Sequence, residues 1–198
     1  MELAIYKQIT SWASDLDGLF TTQDLRIALN KYSQPSVYRN ISELVESGDL
    51  IKIKRGFYAT PEAKLTTVAM RLYPNSYIST GTILAAERII GTIPERKIQV
   101  VQLAPPSSIS TKLGTIEALS IAPKLFFGFE RENNCFWATK EKAFLDACYY
   151  SYKRKSFPFD LDGDVNRSLL SLAKIKDYLK AYDRRFISYF WKNFWVER

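Results

Sequence analysis

The sequence has no histidine, only two cysteines and only eight glycines. The missing histidine excludes Ser-His-Asp and Cys-His nucleophilic catalysis, histidine metal sites and the HExxH metalloprotease motif. None of the glycines forms a GxGxxG or GxxxxGK phosphate loop, which leaves a kinase or a nucleotidyltransferase unsupported. Cys135 and Cys148 do not form a CxxC pair, which suits a reducing compartment. We therefore expect no catalytic residues, no metal and no cofactor.

Long apolar runs are also missing, since no stretch approaches the roughly 18 residues of a spanning helix. The first residues carry no basic segment followed by an apolar run, so we expect a cytoplasmic protein. The 198 residues are 46% hydrophobic and 25% charged, as in ordinary folded proteins. The net charge of +7 suggests a polyanionic partner. Residues 1–60 are balanced in charge, whereas residues 151–198 hold eleven basic and six acidic side chains.

The first sixty residues have the pattern of three short helices and a hairpin. Ile5, Ile9, Trp12 and Leu16 recur at helical spacing. A capping box at residues 21–24 predicts the start of a second helix. Ser33 or Gln34 can cap a third helix with Pro35 in its first turn and Gly48 at its end, and with a buried stripe formed by Val37, Ile41, Leu44 and Val45.

Residues 50–54 then alternate apolar and basic, and Arg55-Gly56 turns the chain into residues 57–59. This order of elements predicts a winged helix-turn-helix whose third helix enters the major groove of DNA. Eight side chains are expected to contact the DNA: Gln34, Ser36, Tyr38, Arg39 and Asn40 from the third helix, and Lys52, Lys54 and Arg55 from the wing. The alternative is that they form a solvated polar face on a winged helix that binds protein.

The remaining chain predicts a mixed domain, and the fold class is therefore α+β. Helices are predicted over residues 65–72, 82–90 and from Thr139, and strands over residues 98–103, 115–121, 125–130 and 135–138, with a turn at Asn133-Asn134. We predict three parts: a winged helix-turn-helix domain at 1–60, a connecting segment at 61–75 and a C-terminal domain at 76–198 with a helical end.

The last forty residues predict a pair of amphipathic helices with a basic outer face. This face contains Lys153, Arg154, Lys155, Lys174, Lys176, Lys180, Arg184 and Arg185. Residues 1–60 have no net charge, so the excess of basic over acidic residues lies in the rest of the chain. This indicates that the C-terminal helices form a second site of contact with an anionic partner.

Three segments resemble the AbiEi-type antitoxins, the repressor halves of bacterial type IV abortive-infection toxin–antitoxin pairs. They are ISELVESGDL (41–50) running into RGFYA (55–59), Tyr77-Ile78-Ser79 with the helix to Gly91, and ATKEKAFLD (138–146). Their order and spacing cover most of the chain. The EKAFLD string after a strand is the most distinctive of the three.

The resemblance implies a non-enzymatic autorepressor that binds operator inverted repeats upstream of its own operon in double-stranded DNA. It implies a C-terminal antitoxin domain and a nucleotidyltransferase-like toxin as partner, countered without a stable complex. No membrane partner is expected. The oligomeric state stays open, with cooperative binding on DNA as one option.

Two other functions compete with this one. A metabolite-sensing winged-helix repressor would bind a small effector in a deep pocket of its C-terminal domain. A nucleic-acid-processing enzyme would need magnesium ligands such as those of Glu95-Arg96-Lys97, but no aspartate occurs between Asp49 and Asp146. The Asp160–Asp164 loop lacks the register of a calcium loop, and Glu141, Lys142 and Asp146 are interpreted as structural.

Overall fold

The computed structural model describes residues 2–13, 15–30, 32–91 and 96–195. Eight α-helices lie in this part of the chain: α1 (Glu2–Ala13), α2 (Thr22–Ala28), α3 (Gln34–Ser47), α4 (Leu65–Leu72), α5 (Gly81–Ala86), α6 (Lys140–Tyr152), α7 (Leu172–Leu179) and α8 (Arg184–Asn193). The same residues contain nine strands: β1 (Leu19–Thr21), β2 (Ile51–Lys54), β3 (Phe57–Ala59), β4 (Ser76–Ile78), β5 (Lys97–Gln102), β6 (Ser107–Thr111), β7 (Gly114–Ser120), β8 (Phe129–Glu132) and β9 (Cys135–Ala138).

Helices α1–α3 and strands β1–β3 form a winged helix-turn-helix, called here the winged unit. The predicted capping box is present, since the Thr21 hydroxyl accepts from the Asp24 amide at 3.1 Å and the Asp24 carboxylate accepts from the Thr21 amide at 2.7 Å. Helix α3 has Pro35 in its first turn and ends at Gly48, whose φ of +88° is left-handed. These features confirm the predicted α+β fold class with an N-terminal winged helix.

The small sheet of the winged unit, in the order β1-β3-β2, is covered on both faces. Phe20 and Leu50 pack on the three helices, together with Ile9 of α1. The neighbouring Leu19 and Ile51 belong to the core of the rest of the chain. Because successive strand residues point to opposite faces, this sheet joins the helices to the second unit, residues 61–195.

The second unit contains a six-stranded mixed sheet in the order β6-β7-β5-β4-β9-β8. Strand β4 is antiparallel to β5 and parallel to β9, and β5 is parallel to β7. Helix α6 begins after its N-cap Thr139, as predicted, and packs against α5, α7 and α8. The predicted turn between β8 and β9 is also present, with positive φ at Asn133 and Asn134.

The predicted connecting segment, residues 61–75, contains α4. Val68, Ala69, Met70 and Leu72 of this helix are buried in the core around the second sheet. Arg71 donates hydrogen bonds of 2.7 Å to the carbonyl oxygens of both Leu16 and Leu19. Helix α4 is therefore part of the second unit's core and also holds the winged unit.

Some elements differ from their sequence predictions. Helix α5 ends at Ala86, where residues 82–90 were predicted to be helical, because Arg88 has a positive φ of 56°. Residues 123–125 form a short 3-10 helix, so β8 begins only at Phe129. Trp12, predicted in the core stripe, is more than a third exposed.

Candidate nucleic-acid interface

The first turns of α3 expose several of the predicted contact residues. Gln34 is exposed, and Tyr38 is 46% exposed despite its large aromatic ring. Ser36 is half-buried and its hydroxyl lies 2.9 Å from that of Ser33, so it is oriented by the helix cap. The first turn of this helix contains no acidic residue. The surface at the start of α3 can therefore donate hydrogen bonds to a DNA backbone or base edge.

Arg39 is the single cation of α3, all of whose residues are described. Its side chain is 64% exposed, and its Nε lies 3.7 Å from a carboxylate oxygen of Glu43 one turn later. An exposed pair at this spacing contributes only about 0.3–0.5 kcal/mol. The guanidinium can therefore exchange Glu43 for a phosphate or for the paired acceptors of guanine.

Asn40 is a correction to the predicted contact set. The residue is 2% exposed, and its Nδ2 has no hydrogen-bond partner among the described residues. Asn40 lies three residues after Val37 and four before Leu44, so it shares the buried face of the helix rather than a flank. In this structure its side chain is not offered to a ligand.

The wing presents its three predicted cations on the surface. Lys52 and Lys54 are exposed, while Ile51 and Ile53, which alternate with them, are buried, as the pattern predicts. Arg55 is exposed in the turn, and Lys54 Nζ lies 4.7 Å from the centre of the Phe57 ring. The winged unit therefore has two exposed groups of donors, one at the start of α3 and one on the wing. We call Gln34, Ser36, Tyr38, Arg39, Lys52, Lys54 and Arg55 the recognition surface.

The predicted C-terminal basic face separates into paired and exposed cations. Lys155 forms an ion pair with Glu117, Lys174 Nζ lies 3.7 Å from a carboxylate oxygen of Glu141, and Lys180 Nζ lies 2.8 Å from one of Asp177. The other five cations of this face are exposed, and no ion pair involves them among the described residues: Lys153, Arg154, Lys176, Arg184 and Arg185. The face is therefore less continuous than the sequence predicted.

Several of these exposed cations meet at the start of α8. Asp183 caps that helix, and hydrogen bonding from the Phe186 amide lowers the pKa of its carboxyl, with further contributions from the charges of Lys124 and Lys153. Arg184 and Arg185 follow directly in the chain. Lys124 was missed by sequence reasoning because its nearness to α8 arises from tertiary packing across about sixty residues of chain.

The EKAFLD string contributes a buried ion pair rather than a surface. Lys142 and Asp146 are wholly buried on α6 and pair with each other. The hydroxyls of Tyr77 on β4 and of Ser79, the residue after β4, donate to the Asp146 carboxylate at 3.0 and 2.7 Å. Burial lowers the pKa of Lys142, although the Asp146 charge opposes that shift. This agrees with the structural interpretation of Lys142 and Asp146.

The described residues contain no cluster of three or more His, Cys, Asp or Glu side chains that could hold a metal ion. The aspartates at 160–164 bond to one another's backbone, as in a turn. Glu95 of the alternative magnesium site lies outside the described residues.

Residues 7–61 match the family model of the AbiEi antitoxin transcriptional regulators. The match extends from α1 through the wing, so it contains the whole recognition surface and confirms the resemblance inferred from the sequence. The family that this segment resembles is described as one of antitoxin transcriptional regulators. The two other resembling segments, around Tyr77 and around the EKAFLD string, lie beyond the match.

No relative among the curated proteins matches this chain. None of the helices in the described ranges is long and apolar enough to cross a membrane.

Proposed function

We propose that this protein is a DNA-binding autorepressor and the antitoxin of a bacterial type IV toxin–antitoxin pair. The observation that carries the proposal is the recognition surface, which lies exposed in the segment that matches the AbiEi antitoxin regulators. The start of α3 enters the major groove of operator inverted repeats, and the wing contacts the adjacent backbone. The protein acts in the cytoplasm and is not an enzyme.

Each part of the recognition surface has a distinct role in this proposal. Arg39 reads guanine or holds a phosphate, because its fork of donors matches both. Tyr38, Gln34 and Ser36 position the helix through phosphates or base edges. Lys52, Lys54 and Arg55 neutralise phosphates, which gives affinity without sequence information.

The double variant Arg39→Ala/Lys54→Ala tests this assignment. Binding to the duplex upstream of the protein's own operon weakens, and the slope of log affinity against log salt falls by about 1 for each of the two cations that contacts a phosphate. The measurement is a gel-shift titration at several salt concentrations. Lys112→Ala/Lys192→Ala, which removes two exposed cations outside the recognition surface, serves as the control for net charge. Equal binding by both double variants rules out the proposed surface.

The antitoxin function is proposed for the second unit, against a nucleotidyltransferase-like toxin and without a stable complex. A fragment that rescues cells has to include α4, because Val68 and Ala69 are wholly buried in the core of that unit. We therefore expect residues 61–198 to rescue cells and residues 75–198 to be unstable. A soluble 61–198 fragment without rescue contradicts this division of labour.

The exposed part of the C-terminal basic face is proposed as a second anionic contact. Lys153 lies near the Asp183 carboxylate, which is already used as a helix cap, and Arg184 and Arg185 follow Asp183 directly in the chain. Cations at a helix N-terminus oppose the helix dipole, and a bound phosphate backbone relieves that repulsion. Lys155, Lys174 and Lys180 contribute less, because each already has an acidic partner.

A further inference from the structure

Three half-buried tyrosines form one surface where the end of α6 packs against α8. Tyr149 and Tyr152 lie one turn apart on α6, and Tyr189 lies on α8. The ring centres of Tyr152 and Tyr189 are 5.0 Å apart. Both α6 rings pack on the wholly buried ring of Phe186, with centres 5.3 and 5.7 Å away. Phe186 therefore lies beneath the tyrosines, whose outer parts reach solvent.

Two exposed cations lie beside these rings. Lys153 Nζ lies 5.6 Å from the ring centres of both Tyr149 and Tyr152. Arg185 precedes Tyr189 by four residues, so their side chains are neighbours on α8. Neither cation forms an ion pair within the described ranges. We call Tyr149, Tyr152, Lys153, Arg185 and Tyr189 the tyrosine patch.

The hydroxyls of the three patch tyrosines are available to a ligand. No hydrogen bond involves them among the described residues, and none of them is a buried atom without a partner, so their oxygens reach solvent. The buried tyrosines next to the patch differ. Tyr150 donates to the Ser120 carbonyl oxygen at 3.0 Å. The Tyr182 hydroxyl accepts from Lys142 Nζ at 3.5 Å. Each patch hydroxyl can therefore both donate and accept a hydrogen bond outside the protein.

The charge around the patch favours a polyanion. The Asp183 carboxylate accepts from the Phe186 amide at 2.9 Å, so this acid is already used within the protein. The charges of Lys124 and Lys153 contribute to the lowered pKa of its carboxyl, which places both lysines near the start of α8. Residues 151–198 hold eleven basic and six acidic side chains. Nucleic-acid phosphates match this excess.

The rings determine which kind of nucleic acid fits. Aromatic side chains beside cations are typical of single-strand binding, because unpaired bases stack on the rings while the cations hold the phosphates. The bases of a duplex are stacked on one another inside the helix, so they cannot cover a ring on a protein surface. Each RNA nucleotide also carries a 2′-hydroxyl, which can donate to or accept from a tyrosine hydroxyl.

We propose that the tyrosine patch binds single-stranded RNA. Unpaired bases stack on the tyrosine rings, Lys153 and Arg185 hold the phosphates, and the tyrosine hydroxyls bond to ribose 2′-hydroxyls. This names the ligand of the second anionic contact and rests on that part of the proposed function. It does not depend on operator binding by the recognition surface.

The first experiment compares three labelled probes by fluorescence anisotropy. They are oligouridine RNA of about twelve nucleotides, oligodeoxyuridine of the same length, which lacks only the 2′-hydroxyls, and the RNA paired with oligoadenosine. The full chain carries Arg39→Ala/Lys54→Ala, which weakens competing binding by the recognition surface. We expect the RNA strand to bind about threefold tighter than the DNA strand and about tenfold tighter than the duplex. Equal binding of the duplex overturns the proposal, and equal binding of the two single strands overturns the assignment to RNA.

Charge variants then locate the site. Lys153→Gln/Arg185→Gln weakens RNA binding by about tenfold or more, and the slope of log affinity against log salt falls by about 0.7 for each cation that contacts a phosphate. The matched control is Lys7→Gln/Lys112→Gln, which removes two exposed cations outside the patch. An equal loss in both double variants shows an effect of net charge and overturns the location.

The rings are tested separately. Tyr152→Leu keeps an apolar side chain over Phe186 but removes a stacking ring, so RNA binding weakens by about fivefold or more. Tyr152→Phe keeps the ring and most of the affinity but lowers the preference for RNA over DNA. Tyr73→Leu, at a half-buried tyrosine elsewhere in the second unit, is the control. Unchanged RNA binding in Tyr152→Leu, with thermal unfolding showing a folded protein, overturns the stacking.

Cross-linking gives a direct readout that needs no substitution in the patch. An RNA strand with 5-iodouridine, irradiated on the full chain, should cross-link to Tyr149, Tyr152 or Tyr189, as mapped by mass spectrometry. A cross-link confined to Tyr38 of the recognition surface overturns the proposal.

The outcomes separate this inference from the proposed function. If Lys153→Gln/Arg185→Gln weakens RNA and duplex binding by the same factor, the second anionic contact stands and the RNA proposal fails. If it weakens neither, both fail. Operator binding is tested independently by Arg39→Ala/Lys54→Ala, whose binding of single-stranded RNA should stay close to that of the parent protein.

Discussion

The winged unit and the second unit use charge in opposite ways. The helices of the winged unit enclose a cluster of aliphatic and aromatic side chains such as Ile9, Phe20 and Ile41, while its cations stay on the surface. The second unit buries a complete ion pair, Lys142–Asp146, and many of its surface cations are paired with acids. Charge in the winged unit is therefore available to a ligand, whereas much of the charge in the second unit holds the fold.

The largest expected effect comes from breaking the buried Lys142–Asp146 ion pair, which tests whether charge in the second unit stabilises the fold. Lys142→Met leaves Asp146 buried without its counter-charge and is expected to lower the free energy of unfolding by about 3–5 kcal/mol. The double variant Lys142→Met/Asp146→Leu recovers most of that loss, because no unpaired charge remains. Urea unfolding measures both. A loss below about 1 kcal/mol in the single variant would show that the pair does not hold the second unit together.

The winged unit was more predictable from sequence than the second unit, and the reason is the range of the interactions. The Thr21–Asp24 capping box, the Gly48 helix end and the alternating wing strand are all encoded by residues a few positions apart. Strand β6 was not predicted because its sequence, SSIST, is polar and becomes a strand only by pairing with β7. Ion pairs between residues far apart in the sequence also decide which cations of the basic face are free. The residue types alone could not show which cations these are.

Asn40 shows the same limit on a smaller scale. At about 100° per residue, helical spacing places Asn40 about 85° from the centre of the predicted stripe of Val37, Ile41, Leu44 and Val45, at the boundary between a flank and the core. The packing of α3 decides which side of that boundary it occupies. In the structure it lies on the buried side.

The second test is the pH dependence of stability that the ion-paired Glu117 of the second unit produces. Burial raises the pKa of Glu117, but hydrogen bonds from Lys155, Gln99 and Lys97 outweigh it and lower the pKa to about 2. A carboxyl with a lowered folded-state pKa stabilises the protein above its unfolded value of 4.5, and this stability is lost as pH falls through about 2. Glu117→Gln should remove on the order of 1–3 kcal/mol at neutral pH.

The measurement for Glu117 is the free energy of unfolding by urea across that pH range. The difference between the parent and Glu117→Gln should shrink as the solution becomes more acidic. Glu43→Gln, an exposed acid in the winged unit, is the control, and its difference from the parent should stay small at every pH. A Glu117→Gln difference that does not change with pH contradicts the assignment.

Asn40→Leu tests the corrected recognition surface. The substitution keeps four side-chain heavy atoms and the branch at Cγ, and it removes a buried amide nitrogen without a partner among the described residues, so we expect the protein to become more stable by about 1 kcal/mol. Operator affinity should not change, because the side chain faces the core. Arg39→Ala is the comparison, with the opposite result: nearly unchanged stability and weaker binding. A tenfold loss of affinity in Asn40→Leu would return Asn40 to the contact set.

The smallest expected effect on stability comes from Glu43→Gln, at the exposed pair with Arg39. The loss in the free energy of unfolding should stay within about 0.5 kcal/mol, because the Arg39 and Glu43 side chains are 64% and 40% exposed and solvent weakens their attraction. Operator affinity should rise severalfold, since the change frees the guanidinium and removes a negative charge that repels phosphates. Glu46→Gln, which removes an exposed acid from the same helix without freeing Arg39, should raise affinity less. If both variants raise affinity equally, the effect is one of net charge, and Arg39 has no special place in the recognition surface.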